Sequence, residues 1–101
     1  MEASKRLDEA LKLDPTNAAA HVNLGNLHDD RGDLAGAEAE YRRALELDAN
    51  NAAALYNLGV LLLEAGRRED ALDPLRRYAE MKPDDADAKR RLADAGGSPP
   101  H

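Results

Sequence analysis

The chain repeats itself every 34 residues, and this period constrains its fold more than any single residue does. Aligning residues 18–51 with residues 52–85 gives 12 identities in 34 positions. The dipeptide Leu24-Gly25 recurs as Leu58-Gly59, and Ala88 and Leu92 continue the step. A fixed period of this length indicates one supersecondary unit stacked on copies of itself, because a single unit cannot bury its apolar face alone. Such an array presents a long surface rather than a catalytic pocket.

The composition fits one domain built from closely packed helices. The chain has 101 residues, contains neither Phe nor Trp, and is only 3% aromatic. A chain of this length makes one domain with one continuous core. That core must consist of Ala, Leu and a few Tyr, and small side chains of this kind allow helices to approach closely.

The charge and the absence of cysteine exclude several classes of function. The net charge is −6, whereas nucleic acids and anionic membranes bind basic surfaces. Without Cys there is neither a disulfide framework nor a thiolate metal site. The longest apolar run, at residues 58–63, is too short to span a bilayer, and residues 1–13 lack the apolar core of a signal peptide. We therefore expect a cytoplasmic protein.

Each repeat is predicted to form two helices separated by a short turn. Gly32 suits a residue of positive φ at a helix end, Asp33 is a good N-cap for the next helix, and Asn51 can cap the one after. Pro74 lies inside a predicted helix, where we expect a mild kink. Residues 96–101 are predicted to be a disordered tail. The predicted helices cover residues 2–13, 18–31, 34–47, 52–65, 68–81 and 86–95.

The positions that recur in this frame resemble the tetratricopeptide repeat signature. The resemblance covers about residues 2 to 95, with the whole set in register twice. In the first full repeat the signature residues are His21, Leu24, Gly25, His28, Ala37, Tyr41, Ala44 and Ala49. In the second they are Leu55, Leu58, Gly59, Leu62, Ala71, Leu75, Tyr78 and Pro83.

The resemblance implies an all-α fold, a right-handed superhelical stack of antiparallel helix pairs (an α-solenoid) with six helices. The domain would span residues 2–95, with a half repeat at 2–17, full repeats at 18–51 and 52–85, and a terminal capping helix at 86–95. Because the frame begins with a half repeat, we expect an excised domain or a truncated array. Tyr78 departs from the signature, since a bulky ring replaces a small residue, and we expect it to hold the last helix further out.

The resemblance also implies a concave groove lined by the first helix of each repeat. Asn side chains carry both a donor and an acceptor, so they can pair with the backbone of an extended peptide. We therefore expect a scaffold or adaptor that binds an extended peptide or a partner helix. The candidate groove residues are Val22, Asn23, Asn26, Tyr56, Asn57, Val60, Arg90 and Arg91.

Other interpretations of the groove and the ends stay open. Asn23 and Asn57 could simply bond to neighbouring helices. Some members of the family hold the C-terminal carboxylate of a heat-shock chaperone, but Val22 and Asp87 stand where two lysines are needed. Alternatively, the chain self-associates into a homo-oligomer through its end helices, since Leu7 would be partly exposed in an unpartnered first helix.

The remaining motifs favour structural roles. Arg31-Gly32-Asp33 spells an integrin-binding tripeptide but falls on a turn, where Gly ends one helix and Asp caps the next. His21 and His28 share a helical face without carboxylates at ligand spacing, so we predict no metal site. We find no nucleophile set and no phosphate-binding loop, and predict neither an enzyme nor a bound cofactor.

Overall fold

A computed structural model of the chain describes residues 17–96, and all regular structure within that range is helical. These residues divide into two compact units between Ala54 and Leu55, and each unit is described by itself. The five helices of the described range are α1 (Ala18–Asp30), α2 (Leu34–Leu47), α3 (Ala52–Glu64), α4 (Arg68–Met81) and α5 (Ala86–Asp94).

The helices follow the predicted boundaries closely. The bounds of α2 and α4 are those expected, and α1, α3 and α5 each end one residue earlier than predicted. Of the six predicted helices, five therefore lie within residues 17–96. The sixth, at residues 2–13, and the tail beyond Gly96 lie outside the described residues.

Caps placed 34 residues apart start the first helix of each repeat. Asn17, Asn51 and Asp85 each accept a hydrogen bond from the backbone N–H three residues later, at 3.1, 3.0 and 3.1 Å. Each bond satisfies an N–H that has no partner within the helix. The 34-residue period of the sequence is therefore also the spacing between the N-termini of successive first helices.

The turn after α1 confirms the structural interpretation of the Arg31-Gly32-Asp33 motif. Gly32 has φ +79°, and the Asp33 backbone N–H donates to the His28 carbonyl at 2.8 Å, as in a Schellman motif. The Asp33 side chain accepts from the Gly36 N–H at 2.9 Å and caps α2. Gly66 repeats the positive φ, but Arg67 stands where Asp33 stood and makes no side-chain cap.

The first unit is held together by an aromatic ring against a glycine. Tyr41 of α2 is 2% exposed, and a Cβ added to Gly25 of α1 would lie 2.6 Å from Tyr41 Cε1. The Tyr41 hydroxyl donates to Asn26 Oδ1 at 2.5 Å. Burial, with smaller contributions from Asp29 and Asp30, raises the pKa of Tyr41 to about 12. The absent side chain of Gly25 therefore makes room for the buried ring of Tyr41.

The second unit uses the same close approach with an aliphatic partner. Leu75 stands 34 residues after Tyr41, and a Cβ added to Gly59 would lie 2.5 Å from Leu75 Cγ. The helix α4 runs continuously through Pro74, which is itself buried. Among the described residues of this unit, the apolar side chains that are at most 4% exposed are Leu55, Leu58, Leu61, Leu62, Ala71, Leu75, Ala79, Ala88 and Leu92.

Candidate functional site

A polar cluster in the second unit joins α3 to α5. Tyr56 of α3 donates a short hydrogen bond to Asp87 Oδ2 of α5. Arg91, one turn after Asp87, donates from Nε to the same oxygen and to the Tyr56 hydroxyl, both at 3.0 Å. Arg90 donates to the other carboxylate oxygen, Asp87 Oδ1. We call Tyr56, Asp87, Arg90 and Arg91 the Asp87 cluster.

Aromatic contacts extend the cluster toward α4. The guanidinium carbon of Arg91 lies 5.8 Å from the centroid of the Tyr56 ring, within the range of a cation–π contact. The rings of Tyr56 and Tyr78 are 5.0 Å apart and tilted by 52°. The Tyr78 hydroxyl donates to Asp85 Oδ2 at 3.2 Å, so the unusual residue of the signature bonds to the N-cap of α5. That the Tyr78 ring holds α5 further out than a small residue would stays a prediction.

The contacts shift the ionisation of the cluster. The hydrogen bond from Tyr56, followed by that from Arg91, lowers the pKa of Asp87 from its ordinary 3.8 to about 2. The same bond to Asp87 raises the pKa of the Tyr56 phenol, because ionisation would place two negative charges together. Asp87 also raises the pKa of Arg91. At neutral pH the cluster therefore holds one carboxylate, two guanidinium ions and a neutral phenol.

Because folding lowers the pKa of Asp87, we expect Asp87→Asn to flatten the acid dependence of stability. The carboxylate contributes fully above its ordinary pKa of 3.8, and this contribution disappears as the pH falls toward 2. Thermal unfolding from pH 5 to pH 2 should show a shallower fall of Tm in Asp87→Asn than in the wild type. Asp94→Asn removes the same charge from the same helix and should follow the wild-type profile. Parallel profiles for all three proteins would contradict this role of Asp87.

A shallow cavity of about 330 Å³ lies beside the cluster in the same unit. Arg91 belongs to both, which makes the cavity and the cluster one continuous surface. A cavity of this size is at the lower end of the range of small-ligand sites. Its lining consists of Leu63, Glu64, Arg68, Arg91 and Asp94.

The structure brings some predicted groove residues together and leaves others apart. Tyr56, Arg90 and Arg91 meet in the Asp87 cluster, and Asn57 and Val60 lie half-buried on α3. In the first unit Asn23 is exposed, whereas Val22 is only 5% exposed and offers a ligand little surface. Asn26 accepts from Tyr41 of the neighbouring helix, a structural role that the sequence interpretation considered only for other asparagines.

Asp87, at the centre of the cluster, and Tyr78, beside Tyr56, were not among the predicted site residues. Asp87 was expected on the groove-lining helix with Arg90 and Arg91 but was given no binding role, and Tyr78 was considered only for its effect on packing. A signal for Asp87 was present, since Asp at i with Arg at i+3 and i+4 forms ion pairs on one helix. Nothing in the local sequence joins Tyr56 to Asp87, 31 residues later.

His21 and His28 of α1 each contact a carboxylate from beyond that helix. His21 Nδ1 lies 2.8 Å from Glu40 Oε2, and His28 Nδ1 lies 3.1 Å from Asp33 Oδ2. These partners were not apparent from spacing along α1, because they are contributed by α2 and the turn before it. Within residues 17–96, no group of three or more acidic or His side chains could hold a metal ion.

The chain belongs to the tetratricopeptide repeat family. The family's repeat pattern matches residues 1–52, 30–86 and 56–96. Members of this family are generally non-catalytic scaffolds for protein interactions. In the part of the chain that the structure describes, no helix is long and apolar enough to cross a membrane.

Solved structures share the fold over nearly the whole chain. A MamA crystal structure matches at 26% identity with a TM-score of 0.85, over 93% of this chain and 51% of that one. A second MamA structure matches at 26% identity with a TM-score of 0.84, over 92% of this chain and 54% of that one. The chain thus spans about half the length of MamA.

A third similar structure is the first TPR of Spaghetti (RPAP3) bound to the HSP90 peptide SRMEEVD. It matches at 21% identity with a TM-score of 0.86, over 94% of this chain and 77% of that one. At this identity the likeness shows the fold alone. Comparison with curated proteins gives no match.

Proposed function

We propose that this chain is a non-catalytic adaptor that binds an extended peptide of a partner protein on the face formed by α3 and α5. The observation that carries the proposal is the meeting of Tyr56 and Arg91, from the first helices of successive repeats, beside a cavity of about 330 Å³. Tyr and Arg, together with Trp, are enriched among the interface residues that dominate binding energy. The peptide bound to the first TPR of Spaghetti supports a peptide as the class of ligand.

The remaining side chains of this face suit a peptide main chain. Asn57 can donate and accept, while Val60 and Leu63 supply apolar contact. Asn57 and Val60 are half-buried rather than fully buried, so a ligand could cover them. Whether Val22, Asn23 and Asn26 of the first unit contribute to binding stays a prediction.

The direct test begins by selecting peptides from a random 12-residue display library on the wild-type chain. The best peptide is then titrated by fluorescence anisotropy against Tyr56→Ala and Arg91→Ala. We expect each variant to lose at least about tenfold in affinity, because each removes a side chain of the kind that costs 2 kcal/mol or more at interfaces (~1.4 kcal/mol being tenfold).

Arg76→Ala is the matched control, because it removes an exposed arginine of α4 that lies outside this face. Its affinity should stay within about twofold of the wild type, as expected for a rim or distant charge. Far-ultraviolet circular dichroism should show unchanged helicity in all three variants. Equal affinities in the four proteins would place the peptide elsewhere and overturn the proposal.

The alternative, self-association through the end helices, makes a different prediction for the mass in solution. The adaptor proposal predicts a light-scattering mass near 10.9 kDa at all concentrations. A mass that rises with concentration and falls back in Leu7→Glu would favour the alternative. Leu7 lies outside the described residues, so that part rests on the sequence.

A further inference from the structure

Three hydrogen-bond donors converge on the single carboxylate of Asp87. The Tyr56 hydroxyl and Arg91 Nε share Oδ2, while the Arg90 guanidinium takes Oδ1. Both oxygens are engaged, and two of the donors are charged. Charged donors make shorter and stronger hydrogen bonds to carboxylates than neutral ones do. A carboxylate from another molecule would need the same set of donors.

The charge of this surface depends on Asp87. Counted with Arg68, Glu64 and Asp94 of the adjoining cavity, the charged side chains balance while Asp87 is present, and its removal leaves one positive charge in excess. The groups are accessible, since the side chains of Arg91, Asp87 and Arg90 are 33%, 35% and 71% exposed.

We propose that Tyr56, Arg90 and Arg91 form a carboxylate-binding site that the chain fills with its own Asp87, and that Asp87 thereby makes this face reject acidic peptides. This step rests on the proposed peptide-binding function. It makes Asp87 the residue that determines specificity: the face selects segments whose contacting residues are neutral or basic.

The physical reason is competition between a tethered and a diffusing carboxylate. Asp87 is on the same helix as both arginines, so its effective concentration at the donors is on the order of mM or higher. An incoming carboxylate would have to displace it and would leave two like charges side by side. When Asp87 is removed, the three donors lose their acceptor and the two guanidinium ions repel one another.

The first experiment tests the site without any peptide. Asp87→Ala is unfolded thermally in sodium acetate and in sodium chloride at equal ionic strength. We expect acetate at about 0.2 M to raise the Tm of this variant by about 3–6 °C over chloride, because it binds the folded state alone. The wild type and Asp73→Ala, which keep Asp87 in place, should show no such difference. Asp73 pairs with Arg77 of α4 at the same i,i+4 spacing as Asp87 with Arg91, and it belongs neither to the cluster nor to the cavity lining.

Adding Arg91→Ala to Asp87→Ala should abolish the acetate effect, since the main donor is then missing. If Asp87→Ala does not fold, Asp87→Ser keeps an acceptor for the Tyr56 hydroxyl and takes its place. Identical Tm values in acetate and chloride for the single variant would overturn the proposed site.

The second experiment tests specificity. Fluorescein-labelled peptides of five aspartates and of five asparagines are titrated against the wild type and Asp87→Ala. We expect the aspartate peptide to bind Asp87→Ala at least about tenfold more tightly than the wild type, and the asparagine peptide to bind both alike. If acetate raises the Tm of Asp87→Ala but the aspartate peptide binds this variant no more tightly than the wild type, the carboxylate site stands and its role in selecting peptides is overturned. The proposed function itself fails by a different result, namely that the selected library peptide binds Tyr56→Ala as tightly as it binds the wild type.

Discussion

Replacing Tyr41 with alanine should lower the free energy of unfolding by about 3–5 kcal/mol, the usual cost of truncating a buried aromatic side chain. Tyr41 is 2% exposed and fills the space that Gly25 leaves on the facing helix. A chain of 101 residues is expected to be stable by only about 5–15 kcal/mol. Urea unfolding followed by circular dichroism at 25 °C measures the loss, and the variant should be partly unfolded without denaturant at elevated temperature.

Two further variants separate the ring of Tyr41 from its hydroxyl. Tyr41→Phe removes the hydrogen bond to Asn26 but keeps the ring, so it should cost about 1 kcal/mol. Tyr41→Leu installs the residue that the second repeat uses at the equivalent position, Leu75, and should fall between the other two. A loss in Tyr41→Ala no larger than that in Tyr41→Phe would show that the ring does not carry the packing.

The helices were predictable because their signals are local and occur more than once. Gly32 and Gly66 both take φ +79° at equivalent turns, and Asn17, Asn51 and Asp85 cap equivalent helices. When the same capping chemistry recurs every 34 residues, each helix start is supported by its counterparts. A funnel-shaped folding landscape requires local preferences and the global fold to agree in this way.

The site was predictable only in part, because its contacts depend on side-chain conformations across helices. The sequence placed Tyr56 and Arg91 on surfaces of the expected groove, and the structure brings them within 3.0 Å. The spacing of Asp87 and Arg91 on one helix favours their ion pair, but nothing in the local sequence indicates that Asp87 would also bond to Tyr56. The family pattern marked Asp87 as a departure, whereas the structure makes it the acceptor at the centre of the cluster.

Val22 and Tyr78 show the complementary difficulty. Both stand at positions whose role the family pattern sets, yet the solvent exposure of each depends on its neighbours in this chain. Val22 is buried, whereas the Tyr78 ring packs at a tilt against Tyr56 and its hydroxyl bonds to Asp85, the N-cap of α5. A repeat determines the position of each residue on its helix. It does not determine which of several nearby residues the side chain contacts.

The second large effect is expected at the contact between Gly59 and Leu75 of the second unit. The losses in free energy of unfolding caused by substituting each residue should partly cancel when both are substituted. Leu75→Ala removes a fully buried side chain and should cost about 2–5 kcal/mol. Gly59→Ala places a Cβ only 2.5 Å from Leu75 Cγ and Cδ2, and such overpacking costs about 1–3 kcal/mol, offset by about 1 kcal/mol of helix propensity.

The double variant Gly59→Ala/Leu75→Ala should be more stable than the sum of the single losses predicts. The alanine methyl at position 59 meets no leucine and fills part of the cavity that the truncation leaves. Residues in direct contact commonly show coupling of about 0.5–3 kcal/mol, and we expect at least about 1 kcal/mol here. Gly25→Ala combined with Leu75→Ala is the matched control, since these residues lie in different units, and its losses should add. Additive losses in both pairs would mean that Gly59 is not required for the close approach of α3 and α4.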